Sequence, residues 1–257
     1  MPATWCIAIM ALLLQVLGAS PSARAADPLS LGIPGNTPFT GLDGTQVTGV
    51  IAEATVSALS TMGYTVAPRL LPFKRMYQWV HTGQLDVAVS VLATPERMAQ
   101  AHYSLPIVTE YTLVMVPKGR AFPLTHVADL HGKKLGGQLG FLYPQLAGIV
   151  VELLLEKDYE TNLQKIALGK LDGVLIGSIT GPFLARRLGL LDSLEPLPTA
   201  IGEVPLGAAF SKSVFSPEAL MAFNAAIARL HASVAWQKIL AANGVAELVK
   251  PWPIASQ

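Results

Sequence analysis

The chain has 257 residues, of which 51% are hydrophobic and 14% charged, so it is long and apolar enough to bury a large core. Its 18 basic and 17 acidic residues nearly cancel and are interspersed, which argues against nucleic acid or an anionic membrane as a partner. The single cysteine, Cys6, excludes intrachain disulfides and zinc sites built from several thiolates. Stability must therefore come from the apolar core.

Residues 1–25 have the composition of a secretory signal peptide. A nearly unbroken apolar run over 5–17 is followed by small residues and by the triplet Ala23-Arg24-Ala25, which is typical of a cleavage site. The run is shorter than the roughly 20 residues that a membrane-spanning helix needs. We predict cleavage near Ala25/Ala26, which delivers to the periplasm a mature chain without cysteine and with equal numbers of acidic and basic residues.

The first half of the mature chain alternates strands and helices. A strand at 29–33 and a loop rich in Gly, Pro and Asn precede a helix at 49–62, whose apolar residues recur at helical spacing. A strand at 65–71, a helix between Pro72 and Gly83, and a valine-rich strand at 86–92 follow. Strands that alternate with helices are typical of a parallel sheet covered by helices on both faces.

The second half repeats the alternation after a break at Pro117-Lys118-Gly119. The predicted elements are strands at 113–116, 135–138, 173–176 and 206–210, helices at 143–156 and 163–168, and a closing helix with the apolar stripe Leu220, Phe223, Ile227, Leu230 and Val234. The pattern favours two small α/β lobes over one large domain. It contains no tandem repeat.

Several short motifs together resemble the periplasmic solute-binding proteins that include the polar amino-acid receptors of ABC importers. They are Pro38-Phe39, Gly83-Gln84-Leu85-Asp86, Thr94-Pro95-Glu96-Arg97, Asp129-Leu130-His131-Gly132-Lys133-Lys134-Leu135-Gly136 and Gly169-Lys170-Leu171-Asp172-Gly173. The resemblance implies an α/β, two-lobed type II periplasmic-binding-protein fold, in which each lobe is a small mixed or parallel sheet flanked by helices. It implies a first lobe from 26–113 and 206–257, a second from 114–205, and a two-strand hinge near 113–117 and 202–206. Ligand would bind in the cleft between the lobes.

The same resemblance indicates ligand-binding residues in the first lobe. Arg97 follows a buried strand and a Thr-Pro-Glu turn, where the related receptors bind a ligand carboxylate with a bidentate guanidinium. Phe39 is expected as an aromatic wall of the cleft, Ser90 as a hydroxyl donor and Arg75 as a second positive contact. The alternatives are an ion pair of Arg97 with Glu96, a core position for Phe39 and a solvated position for Arg75.

In the second lobe, the segment from Gly140 to Tyr143 precedes the predicted helix, and its backbone N–H groups suit an anionic ligand group. We expect Phe141 and Tyr143 to contact the ligand there, and Ser178 to contact it from the end of the following strand. The related receptors carry an acid for the ligand ammonium where this chain has Gly177. A closed cleft without a counter-charge disfavours an α-amino acid unless another acid substitutes, so the prediction is a carboxylate-bearing ligand with an apolar part.

No residue pattern favours catalysis, a cofactor or a metal. The five histidines are scattered, and Gly177-Ser178-Ile179-Thr180-Gly181 has its serine one place too early for a nucleophile elbow. We predict a non-enzymatic, monomeric binding protein that serves an ABC permease, or alternatively a membrane sensor. A cyclohexadienyl-dehydratase-like enzyme is a further alternative, with Glu53, Glu110 and Glu203 as the acids to inspect.

Overall fold

The computed structural model describes residues 27–35, 37–141 and 143–256; the predicted signal peptide lies outside these residues. The strands are β1 (Leu29–Ile33), β2 (Gly41–Asp43), β3 (Gln46–Thr48), β4 (Val66–Leu70), β5 (Val87–Val91), β6 (His102–Tyr103), β7 (Val108–Pro117), β8 (Lys134–Gln138), β9 (Glu152–Glu156), β10 (Gly173–Gly177), β11 (Leu194–Pro196) and β12 (Gly202–Phe210). The α-helices are α1 (Val50–Thr61), α2 (Phe73–Thr82), α3 (Pro95–Met98), α4 (Tyr159–Ala167), α5 (Thr180–Arg187), α6 (Pro217–His231) and α7 (Val234–Ala242). Two 3₁₀ turns span Val127–Leu130 and Pro144–Leu146.

The first lobe contains the strand order β4-β1-β5-β12, with β6 paired to β12. Strands β4, β1 and β5 are parallel, whereas β12 runs antiparallel to β5. Every residue of β5 is buried, because α1 and α6 cover one face of the sheet and α2 covers the other. The valine-rich sequence of β5 is typical of such a two-sided position.

The second lobe contains the order β12-β7-β10-β8-β9, with β11 paired to β7. Alternate residues of β7 point to opposite faces: Val114 and Val116 belong to one apolar cluster, and Met115 belongs to the other with α4 and α5. Strand β10 is parallel to β8 and antiparallel to β7, so the sheet is mixed. The predicted α/β, two-lobed fold with mixed sheets is therefore observed.

Strand β12 belongs to both sheets, and the long strand β7 pairs with it where the sheets meet. They pair antiparallel from Gly202↔Thr112 to Leu206↔Val108, after which β12 continues beside β5 and β7 continues beside β10. We propose this paired region as the hinge, with the first crossing at 108–112, a few residues before the predicted segment.

Two predicted helices differ from the structure. Instead of a helix over 143–156, the chain forms the short turn at Pro144–Leu146 and the strand β9, which adds parallel to β8. Gly148 has φ +81 between them, a left-handed conformation that interrupts a helix, and the apolar residues on both sides of Glu152 suit a strand. The closing helix is interrupted at Ser233, which caps α7, so Val234 is 73% exposed and leaves the predicted stripe.

The C-terminal residues leave the first lobe and bind to the second. After α7, Ala255 enters the second lobe's core, and Ser256 exchanges backbone hydrogen bonds with the segment around His126. Ala200 similarly pairs with the segment at Ile254. We propose, in place of the predicted continuous assignment of 206–257, that residues 253–256 be assigned to the second lobe.

Candidate functional site

A polar cavity of about 230 Å³ lies between the lobes. Gly35 and Thr37 line it from the first lobe, and the second lobe contributes Gln138, Asp158, Tyr159, Glu160, Thr180, Leu184 and Arg187. A second cavity of about 230 Å³ shares Thr37 and is bounded by Gly49, Asn243 and, from the second lobe, Phe183. Cavities of this size suit a small solute that contacts both lobes at once.

Tyr159 is the aromatic residue that lines the first cavity, and Phe141 and Tyr143 contact it without being among the lining residues. The Tyr143 hydroxyl accepts a hydrogen bond of 2.8 Å from the Gln138 N–H and is also hydrogen-bonded to Tyr159. The ring of Phe141, which is 52% exposed, meets the ring of Tyr159 edge-on at 6.0 Å between centroids. The structure thus brings the predicted residues Phe141 and Tyr143 together around Tyr159, although the predicted helix N-terminus does not exist there.

Sequence reasoning missed Tyr159 and Thr180, each at the start of a helix. Asp158 caps α4 by accepting a hydrogen bond of 2.7 Å from the Thr161 N–H, which lowers the pKa of the Asp158 carboxyl. An aspartate at the N-cap with an acid, Glu160, in the first turn is a recognisable helix start, and this signal was available in the sequence. No local signal identifies Thr180.

Glu110 is the acid that the structure places beside Gly177. Its Oε1 accepts hydrogen bonds from the Thr180 N–H at 2.8 Å and the Thr180 hydroxyl at 2.7 Å. A Cβ atom on Gly177 would lie 1.9 Å from the Glu110 carboxyl carbon, so the carboxyl group fills the space that a side chain at 177 would need. Removal from water raises the pKa of Glu110, and the hydrogen bonds from Thr180 and Ile179 only partly oppose this. The two other inspected acids differ: Glu53 accepts hydrogen bonds from Gly49 and Asn243, and Glu203 is exposed.

Arg97 sits on the short helix α3, whose first residue follows the capping side chain of Thr94. Its Nη1 donates a hydrogen bond of 2.9 Å to the Leu92 carbonyl, and its guanidinium carbon lies 4.8 Å from the centre of the Tyr77 ring. Among the described residues no carboxylate pairs with Arg97, so the alternative of an ion pair with Glu96 is not observed. Arg97 is not among the residues that line either cavity.

Phe39 and Ser90 have different surroundings. Phe39 is 1% exposed in the first-lobe core, and its carbonyl accepts hydrogen bonds from the N–H groups of Ile51 and Ala52 at the start of α1. Phe39 therefore occupies the core position that the sequence left open as the alternative to a wall of the cleft. Ser90 is 8% exposed and has φ +59, where the pairing of β5 with β12 shifts register. A non-glycine residue in a left-handed conformation is strained, and such strain is concentrated at functional sites.

Arg75 and Ser178 do not reach the cavities. Arg75 is exposed, with its guanidinium 5.8 Å from the Trp79 ring, which matches the solvated alternative. Ser178 is buried and links two strands: its N–H donates to the Tyr111 carbonyl at 2.7 Å, and its hydroxyl accepts from the Tyr111 N–H at 3.1 Å. The hydroxyl of Ser178 is thus used to hold the hinge strand β7.

Within the described ranges, no three His, Asp or Glu side chains lie close enough together to hold a metal ion. The helices of these ranges are all too short or too polar to cross a bilayer.

Comparison with known proteins agrees with this architecture. Residues 29–244 match the family described as bacterial extracellular solute-binding proteins, family 3. The L-cystine-binding protein TcyJ of Escherichia coli K12 is 25% identical over 209 residues, which cover 79% of this chain and 77% of TcyJ. The solved L-cystine solute receptor of Neisseria gonorrhoeae, unliganded and open, has a TM-score of 0.66 at 21% identity, covering 90% of this chain and 95% of the receptor. An ancestral arginine-binding protein bound to arginine has a TM-score of 0.61 at 21% identity, covering 85% of this chain and 99% of that protein.

Proposed function

Because the chain belongs to the bacterial extracellular solute-binding proteins, family 3, we propose that it captures a small polar or anionic solute, amino-acid-like or carboxylate-bearing, by closure of its lobes. The observation that carries the proposal is the polar cavity that Thr37 of the first lobe and Thr180 of the second both line. A ligand that contacts both walls favours the closed state over the open one, and closure excludes water from each polar contact. The L-cystine-binding relative supports an amino-acid-like ligand.

We further propose that the mature protein works in the periplasm and delivers its ligand to an ABC permease. A membrane sensor is the alternative partner, and copurification of the mature protein with either membrane protein from its own cells distinguishes the two. Family membership supports an extracytoplasmic location, in line with the signal peptide predicted from the sequence.

Thermal unfolding in the presence of candidate ligands tests the binding function. A ligand that binds only the folded state at 100 times its Kd stabilises it by about 2.7 kcal/mol, which corresponds to a rise of roughly 5–10 °C in Tm for a chain of this size. The panel is the common amino acids, L-cystine, aromatic acids and short carboxylic acids. A dose-dependent rise for one chemical class, with the compound recovered unchanged, supports a receptor; no rise for any compound contradicts the proposal.

Arg97 remains our candidate for a ligand carboxylate, because no acid among the described residues neutralises its guanidinium. Loss of a charged hydrogen bond weakens binding by about 10- to 100-fold. Arg97→Ala should therefore bind a carboxylate ligand that much more weakly, while the free protein stays folded and loses about 1 kcal/mol with the hydrogen bond to the Leu92 carbonyl. Arg229→Ala, which removes an exposed arginine from α6, is the matched control. Equal affinities of the two variants would remove Arg97 from the site.

The dehydratase-like alternative also has one supporting observation. Of the three acids considered, Glu110 is the one whose pKa burial raises, as a general acid requires. Consumption of a cyclohexadienyl compound by the wild type, and its loss in Glu110→Gln, would favour this reaction over simple binding.

A further inference from the structure

Glu110 is an ionisable group without a counter-charge at the junction of the lobes. It lies on the hinge strand β7, opposite Val204 of β12. Its carboxyl group is shielded from water, although the residue as a whole keeps some accessible surface. None of the ion pairs among the described residues includes it. A carboxylate held by neutral donors alone is costly to keep ionised, and a cation placed beside it would offset that cost.

The position of this carboxyl group depends on the glycine beside it. Any side chain at 177 would put a Cβ 1.9 Å from Oε1 and 2.4 Å from Oε2 of Glu110, distances that no pair of non-bonded atoms tolerates. The end of β10 thus carries no acid of its own, and a carboxyl group from the neighbouring strand occupies the vacated space. The observed position of the Glu110 carboxyl group therefore requires a glycine at 177.

The arrangement reaches the cavity through Thr180. Thr180 lines the cavity and donates both its N–H and its hydroxyl to Glu110 Oε1, and the Ile179 N–H donates a further hydrogen bond to the same carboxyl group. Tyr159 of the same wall is close enough for the charge of Glu110 to raise the pKa of its hydroxyl, although burial is the larger cause. The described charged groups on this wall are the ion pair of Arg187 with Glu160 and the exposed Asp158.

We propose that the carboxyl group of Glu110 binds a cationic nitrogen of the ligand, an ammonium or a guanidinium, with Gly177 supplying the space. The inference rests on the proposed binding function and narrows it to solutes that carry a positive nitrogen. It reverses the expectation from sequence that a glycine at 177 removes the cation-binding acid. A bound cation would form charge-assisted hydrogen bonds to Glu110 and favour its ionised form.

Calorimetry with matched pairs of compounds tests the proposal. Each α-amino acid of the panel, L-cystine included, is compared with the same acid lacking its amino group; for L-cystine this is 3,3′-dithiodipropionate. Wild type is expected to bind at least one amino compound and to bind its deaminated partner at least about 30-fold more weakly. Glu110→Gln should lose the same factor for the amino compound, while Glu203→Gln, on the other hinge strand and exposed, stays within about twofold of wild type.

A double variant keeps the test independent of folding. Glu110→Ala with Gly177→Asp moves the carboxylate to the end of β10 and should recover part of the affinity for the amino compound. Equal affinity for both members of a pair, or full affinity in Glu110→Gln, would overturn the cation site and leave the proposed binding function standing. Absence of binding by every compound would overturn both.

Discussion

Gly177→Ala gives the sharpest test of how Glu110 and Gly177 share space. Gly177 is not among the glycines with positive φ, so alanine has no backbone conflict there. The conflict is with one side chain: the new Cβ would lie 1.9 Å from both the carboxyl carbon and Oε1 of Glu110. The Glu110 side chain must therefore leave its position in this variant.

The cost follows from the hydrogen bonds that are lost. Glu110 Oε1 accepts two from Thr180, and bonds to a charged group contribute about 1.5–3 kcal/mol each. Two gains oppose this loss: the displaced carboxylate regains water, and replacing glycine with alanine restricts the unfolded chain by about 0.4–1 kcal/mol. We expect Gly177→Ala to lower the free energy of unfolding by about 2 kcal/mol.

Urea unfolding of four proteins at pH 7 measures this effect: wild type, Gly177→Ala, Glu110→Ala and the double variant. Once Glu110 is alanine, the Cβ at 177 has nothing to displace, so the double variant should be no less stable than Glu110→Ala. The coupling free energy should then be at least about 1 kcal/mol. Changes that add within about 0.5 kcal/mol would show that the two positions do not compete, and would refute the reasoning.

Three further predictions concern stability. Burial raises the pKa of Glu110 above its ordinary 4.5, so the folded protein binds this proton more tightly and loses stability as pH rises from 4.5 through the folded pKa. At pH 8 the Tm of Glu110→Gln should therefore be higher than that of the ligand-free wild type, and below pH 4.5 the two Tm values should be equal. The control Glu203→Gln should not show this pattern. A Tm difference between Glu110→Gln and wild type that is the same at every pH would contradict the reasoning. Deleting residues 252–257 removes four backbone hydrogen bonds to or within the docked segment, so urea unfolding should show a loss of about 3–4 kcal/mol, and an unchanged midpoint would contradict the docking. Ser90→Val should cost about 2 kcal/mol, because a β-branched residue disfavours φ +59, whereas Ser90→Gly should stay within about 0.5 kcal/mol of wild type in the same assay.

Much of the fold could be predicted because its local signals agree with its tertiary context. The valine-rich β5 and the helix α1 both occur within a residue or two of their predicted bounds, since each has a single buried environment. The apolar run ending in β9 was predicted as a helix, because a short run of this kind fits a buried helix or a strand equally well. Two features make this run a strand: the left-handed conformation of Gly148 and the free edge of β8, to which the run pairs. Only the free edge of β8 depends on the tertiary structure.

The candidate site was harder to predict, because its residues meet through strand pairing. Glu110 and Gly177 are far apart in sequence, and β7 and β10 bring them together with Gly177 opposite Thr112. The glycine alone indicated a missing acid; it could not indicate that a carboxyl group from another strand occupies the space. Phe39 shows the opposite difficulty, since a motif position gives no information on whether a ring faces a cleft or the core.

The position of β12 in the first sheet also affects the order in which the chain can fold. Phe210 pairs with Val87, so β5 acquires its antiparallel neighbour only after residues 114–205 have been synthesised. Until then the nascent first lobe exposes the unpaired edge of a valine-rich strand, which is prone to pair with other chains. Pairing between residues so distant in sequence is slow, because a long loop must close before any contact compensates the lost entropy. The second lobe shares this dependence, because β12 also pairs with β7, and so neither sheet is complete until the chain has passed Phe210.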